Sequence, residues 1–111
     1  MTNKNILPSS RELYDRLAEV SSAFSHPIRL QILELLELKS HNCSEILEVI
    51  KIPKPNLSQH LNVLKRAKIV DSKKDGLFQI YYIDNPEIWN SYKVLKDTLL
   101  KTNPSIGVTT P

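Results

Sequence analysis

Residues 53–68, Pro-Lys-Pro-Asn-Leu-Ser-Gln-His-Leu-Asn-Val-Leu-Lys-Arg-Ala-Lys, constrain the fold of this chain more than any other stretch. Leu57, Leu61 and Leu64 recur at the i, i+4, i+7 spacing that puts them on one helical face. Pro53 and Pro55 fit only at a helix entry, where a missing N–H costs little. The opposite face opens with Lys54, Asn56, Ser58, Gln59 and His60, polar side chains able to hydrogen-bond base edges. It closes with Lys65, Arg66 and Lys68, which suit phosphates. Every amphipathic helix has a solvated polar face, so the surroundings decide whether this one reads DNA.

Charge is the first part of those surroundings. The net charge of the 111 residues is only +3. Between Lys51 and Lys74, however, seven basic residues stand against Asp71 alone, a local balance of +6. Residues 1–50 balance at −2 and residues 75–111 at −1. Positive charge is thus concentrated on the candidate helix and the segment just after it, which favours a polyanionic partner there. The length suits one domain, expected over residues 9–101 between a disordered lead (1–8) and a flexible tail (102–111). Two glycines and 41% hydrophobic residues describe a helix-rich globular chain with one modest core, often completed by dimerisation.

Ahead of the central helix, Ser9 or Ser10 can cap a first helix, and Ser9 with Glu12 has the capping-box spacing. Leu13, Leu17, Val20 and Phe24 line one side of that helix. Pro27 opens a second, running to about Leu38 with an apolar stripe of Ile28, Ile32, Leu35 and Leu36. Lys39-Ser40-His41 reads as a short connection. Asn42 and Glu45 then cap a short third helix, Cys43 to about Ile50, and Lys51-Ile52-Pro53 turns directly into the central one. A short helix, a tight turn and a helix with a polar outer face make a helix-turn-helix.

Beyond Lys68 the period changes. Ile69–Lys73 and Leu77–Ile83 are rich in β-branched and aromatic residues, and Asp75-Gly76 is a favoured pair for a hairpin turn. A hairpin directly after such a helix is a wing. Asn85-Pro86 opens a last helix to about Lys101, with Ile88, Tyr92, Leu95 and Leu99 along one face and Trp89 adjacent.

Taken in order, Ala23-Phe24-Ser25-His26-Pro27-Ile28-Arg29-Leu30-Gln31-Ile32-Leu33, then Ser58-Gln59-His60-Leu61-Asn62-Val63-Leu64-Lys65, then Ile69-Val70 and Asp75-Gly76 followed by Ile80-Tyr81-Tyr82, resemble the ArsR (arsenic-repressor-like) family of winged-helix transcriptional regulators. The resemblance spans roughly residues 12–100. It implies a mainly α fold of five helices and a two-stranded wing, forming a homodimer through its first and last helices. Two recognition helices then enter successive major grooves of a pseudo-palindromic operator in double-stranded DNA, and such a protein usually represses. Leu13, Leu17, Val20, Trp89, Tyr92, Leu95 and Leu99 are the expected dimer interface. Pro55 departs from the small or hydroxylic residue usual at its place.

Lys54, Asn56, Ser58, Gln59 and His60 are the candidates for direct readout, since Asn and Gln pair with adenine and Lys donates to guanine. Against each stands the plainer reading, contact with phosphate or water. Lys73, Lys74 and Gln79 sit at the wing and can reach phosphate or the minor groove, and Lys65 lies late in the helix. No metal site is expected. The resemblance places the family's paired thiolates around Asn42-Cys43-Ser44, where the two positions that should be cysteine are Asn42 and Ser44. One thiolate cannot make a three-sulfur site. Residues 85–101 contain no histidine for the other familiar site. Cys43 alone is a candidate redox thiol, with an ordinary half-buried residue as the favoured alternative.

No catalytic set or Gly-rich phosphate loop is present, so neither an enzyme nor a cofactor is expected. The lone cysteine and the lack of a signal peptide or membrane span point to a cytoplasmic protein. The leading expectation is a sequence-specific transcriptional regulator that represses. A winged-helix protein-interaction module and a low-specificity architectural DNA binder are the alternatives.

Overall fold

Apolar residues at helical spacing, followed by a run rich in β-branched and aromatic residues, build a set of helices with a small sheet. The computed structural model describes residues 6–107. Its elements are α1 (Arg11–Ala23), α2 (Pro27–Leu38), β1 (His41–Asn42), α3 (Cys43–Val49), α4 (Lys54–Arg66), β2 (Val70–Asp75), β3 (Phe78–Ile83), α5 (Pro86–Thr102) and a closing 3-10 turn, Pro104–Gly107. Residues 1–5 and 108–111, part of the expected lead and tail, lie outside the described residues. Within the expected tail, Thr102 still belongs to α5 and the 3-10 turn comes after it.

Helix starts obey local chemistry. Ser10 rather than Ser9 caps α1, its hydroxyl accepting from the Leu13 N–H at 3.1 Å. Asn42 and Glu45 close a reciprocal capping box on α3, at 2.8 and 2.9 Å. That commits the Asn42 side chain to backbone. His26 caps α2, its Nδ1 accepting from the Ile28 N–H at 3.1 Å, with Pro27 in the first turn.

The end of α4 is less ordinary. Ile69 N–H bonds to the Leu64 carbonyl and Lys68 N–H to the Lys65 carbonyl, at 3.1 and 2.9 Å. These are the two bonds of a Schellman motif. Its left-handed position is filled by Lys68, at φ +61°, where glycine is usual. Leu64 and Ile69, the apolar pair that accompanies this motif, are fully buried.

The sheet corrects the expectation of two strands. β1 pairs antiparallel with β3, giving three strands in the order β1-β3-β2. His41 and Asn42, expected as connection and cap, are that extra strand. In the hairpin, Asp75 pairs with Phe78, so the loop is Gly76-Leu77 rather than Asp75-Gly76. Only Gly76 takes positive φ there, +63°, which a two-residue loop with glycine first requires.

The core gathers Ile32, Leu33 and Leu36 of α2, Ile46 of α3, Leu57, Leu61 and Leu64 of α4, and Ile69 and Val70 entering the sheet. Trp89 joins it. Expected at a dimer interface, Trp89 is 2% exposed. Phe24 stacks on Tyr92 with ring centroids 4.3 Å apart and lies 6.3 Å from Trp89, closing the end of α1 onto α5. The Trp89 indole N–H donates to the Glu37 carboxylate, which also accepts from Lys93. These two donors, Lys93 first, hold the Glu37 carboxyl below its ordinary pKa.

Candidate nucleic-acid interface

The first half of α4 presents the polar face its sequence describes. Lys54, Asn56, Ser58 and Gln59 are exposed, while Leu57, Leu61 and Leu64 on the opposite side are buried. No side chain caps the helix entry at Pro53, and the first turn holds no carboxylate. The positive end of the helix dipole and the Lys54 ammonium therefore coincide, an arrangement that favours an approaching phosphate. Lys65 and Arg66 fall in the last turn, where cations also offset the dipole.

His60 differs from its neighbours. It is half-buried, and its Nδ1 lies 3.2 Å from Nη1 of Arg29 on α2. The His26 ring packs beside it, centroids 4.4 Å apart. Arg29 also donates from Nε to the Ala23 carbonyl and from Nη2 to the Ser22 carbonyl, at 2.8 and 3.0 Å. One guanidinium thus ties the end of α1, the start of α2 and the middle of α4 together. Burial, then the nearby His26 and Arg29, push the His60 pKa down, so its imidazole is neutral at pH 7. An open cleft of about 810 Å³ beside α4 is lined by Arg29, Gln59, His60, Asn62, Lys65 and Arg66 among others, with no carboxylate.

The wing is coupled to the helix through Ser72. Its hydroxyl oxygen accepts from Lys65 Nζ and from Gln79 Nε2, both at 2.9 Å. Two expected DNA contacts are thereby held at the base of the wing. Lys74 pairs across the hairpin with Gln79 and shares its side of the sheet, whereas Lys73, one residue earlier, projects from the other side, 6.0 Å over the Tyr82 ring. Both lysines are exposed, and Leu77 at the tip is 96% exposed.

The remaining candidates separate by burial. Leu13, Leu17, Leu95 and Leu99 are 46%, 53%, 49% and 47% exposed. Val20 and Tyr92 are half-buried and line a groove of about 450 Å³ between α1 and α5 with Leu17 and Leu95. Cys43 is a half-buried thiol at the start of α3, packed against the core. Burial first, and the neighbouring Cys43, raise the Tyr81 pKa. Among the described residues no three of His, Cys, Asp and Glu come together, and no helix is long and apolar enough to cross a membrane.

Periodicity and charge identified α4 and the wing lysines. They missed Arg29, His26 and Ser72, whose roles arise from contacts between elements. The one local signal was His26-Pro27, a cap followed by proline in the first turn.

A short helix, a tight turn, a helix with an exposed polar face and a hairpin coupled to it define a winged helix-turn-helix domain. The helix-turn-helix domain family matches residues 24–73. An uncharacterised HTH-type transcriptional regulator of Methanocaldococcus jannaschii, MJ1325, is 38% identical over 87 residues, 78% of this chain and 98% of that one. Among solved structures, M. tuberculosis Rv0081 has a TM-score of 0.76 at 34% identity, covering 89% of this chain and 100% of that chain. The transcriptional repressor PagR of Bacillus anthracis has a TM-score of 0.66 at 32% identity, covering 78% and 99%. The homodimeric winged helix-turn-helix domain Mb0332 of Mycobacterium bovis, a possible ArsR-family regulator, has a TM-score of 0.79 at 21% identity, covering 95% and 100%, and shares the fold. The chain belongs to the HTH-type transcriptional regulators, in the winged form to which its ArsR resemblance pointed.

Proposed function

We propose that this protein is a homodimeric repressor that binds a pseudo-palindromic DNA operator, reading bases with the first half of α4. The observation that carries this reading is the exposed, carboxylate-free polar face of Lys54, Asn56, Ser58 and Gln59, backed by a fully buried leucine stripe. A solvated face with no partner has no need to exclude acidic residues. Lys74, on the side of the wing that is bonded to α4, adds a phosphate or minor-groove contact. Lys65 and Gln79 act first by fixing the wing against α4 through Ser72.

The exposed leucines of α1 and α5 support the homodimer. The chain extends 57 × 38 × 22 Å with a radius of gyration of 16.9 Å, against about 13 Å for a compact domain of 100 residues. So flat a shape leaves one apolar side uncovered, and a twofold partner covers it with the same residues. Trp89 takes no part, being buried within the protomer.

The test is a titration of a duplex selected by the protein from a random library, at several salt concentrations. Lys54→Ala should weaken binding and shallow the salt dependence by about two units of slope, one for each protomer of the dimer. An unchanged slope and affinity would remove α4 from the interface. Equal affinity for scrambled duplexes would make the protein an architectural binder, and the absence of any salt-sensitive binding would make it a protein-interaction module. Cys43 as an oxidant sensor is tested in the same assay: Cys43→Ser should abolish an oxidant effect on DNA affinity, and an effect that survives the substitution rules the thiol out.

A further inference from the structure

Resting on the proposed reading of DNA by α4, we infer that Arg29 is a positioning residue that locks His60 as a directed hydrogen-bond donor, so that His60 selects a base presenting an acceptor in the major groove.

Donor and acceptor inventories fix the place of the imidazole proton. A guanidinium carries only donors, so the 3.2 Å contact between Arg29 Nη1 and His60 Nδ1 requires Nδ1 to offer its lone pair. The ring proton of neutral His60 is then on Nε2. No buried side-chain nitrogen or oxygen among the described residues lacks a partner. Nε2 of this half-buried residue has none, so it opens to solvent in the cleft beside α4. A fixed N–H directed outward matches purine N7, guanine O6 or thymine O4, and rejects the amino group of cytosine.

Arg29 itself cannot rotate away cheaply, because its other nitrogens are committed to the Ala23 and Ser22 carbonyls. Each neighbour opposes a second proton on His60. Arg29 faces it from α2, His26 from the turn before α2, and Lys65 and Arg66 share its cleft on α4. His26 is held likewise, its Nδ1 occupied by the Ile28 N–H. Protonation of His60 would put an N–H against the guanidinium and break the lock. Base selectivity should therefore fall on acidification, although the added charge favours phosphate in general.

The experiment uses the full chain and has two arms. In the first, long-range proton–nitrogen correlation spectra of the ¹⁵N-labelled protein read the His60 tautomer at neutral pH. The Nε2–H form is expected in the wild type, and an exchanging mixture in Arg29→Met. An Nδ1–H form or an imidazolium in the wild type overturns the inference. In the second, affinities for the selected duplex and a scrambled one are compared for wild type, Arg29→Met, His60→Gln and the double variant. Arg29→Met should lower selectivity on the order of tenfold when His60 is present. It should cost little in the His60→Gln background, where the amide donates without help.

Wild-type selectivity should decline as pH falls below about 6.5, and His60→Gln should be flat over the same range. The tautomer and the His60→Gln pH profile do not depend on Arg29→Met folding. A protein that selects a duplex but loses the same selectivity on Arg29→Met in both backgrounds overturns the inference alone, since Arg29 then acts only on the α1–α2 junction. A decline with acid that persists in His60→Gln overturns it too. A protein that enriches no duplex overturns the regulator reading and this inference together.

Discussion

Leu17→Ala should weaken the dimer without harming the fold. Burying a whole leucine side chain is worth about 1.5–3 kcal/mol, so covering the exposed half of Leu17 is worth about 1 kcal/mol. A twofold interface uses the position twice. Removing three of four side-chain carbons from each copy should then cost about 1.5 kcal/mol of association, roughly tenfold in the dissociation constant. The same holds for Leu99→Ala on α5, which is exposed to a similar degree. Sedimentation velocity over a concentration series measures the dissociation constant directly. Trp89→Phe is the contrasting variant: it should lower the melting temperature and leave the dimer constant alone, because Trp89 faces its own core. Dissociation constants of Leu17→Ala and Leu99→Ala within twofold of wild type would refute an α1–α5 interface.

Packing sets three further outcomes. Trp89→Ala should destabilise the protein by about 3–5 kcal/mol in urea unfolding, chiefly through the cavity it leaves in the core, with the indole hydrogen bond to Glu37 lost as well. Lys68→Gly should stabilise it by about 1 kcal/mol, measured the same way, by relieving a side chain held at φ +61°. Stability should fall on acidification in two stages. His60 binds its proton more weakly folded than unfolded, so its contribution is full above about pH 6.5 and is lost as pH drops below it. Glu37, also held low, loses its contribution in a lower window that begins near the ordinary carboxylate value. Urea midpoints against pH should lose the upper stage in His60→Gln and the lower one in Glu37→Gln.

Where the expectations from sequence held, the cause was local. Proline at a helix entry, asparagine three residues before glutamate, and leucines at helical spacing act within one or two turns, and α2, α3, α4 and α5 lie where those signals put them. The errors share the opposite cause. The hairpin loop moved by one residue because strand pairing continued through Asp75. β1 went unseen because two residues carry no period, and only β3 passing alongside makes them a strand. Trp89 sat on the right helix and the wrong face, since its neighbours Phe24 and Glu37 come from elsewhere in the chain.

The sequence by itself determined a leucine-backed helix within residues 53–68, its carboxylate-free outer face, and the concentration of positive charge around it. Those properties depend on residue type and spacing, and spacing survives any arrangement of the other elements. Only the tertiary structure decided that His60 meets Arg29, that Lys65 and Gln79 meet at Ser72, and that Trp89 belongs to the core. Each of these joins groups separated along the chain, and no periodicity encodes a contact between two elements whose relative placement is set by how the whole core packs.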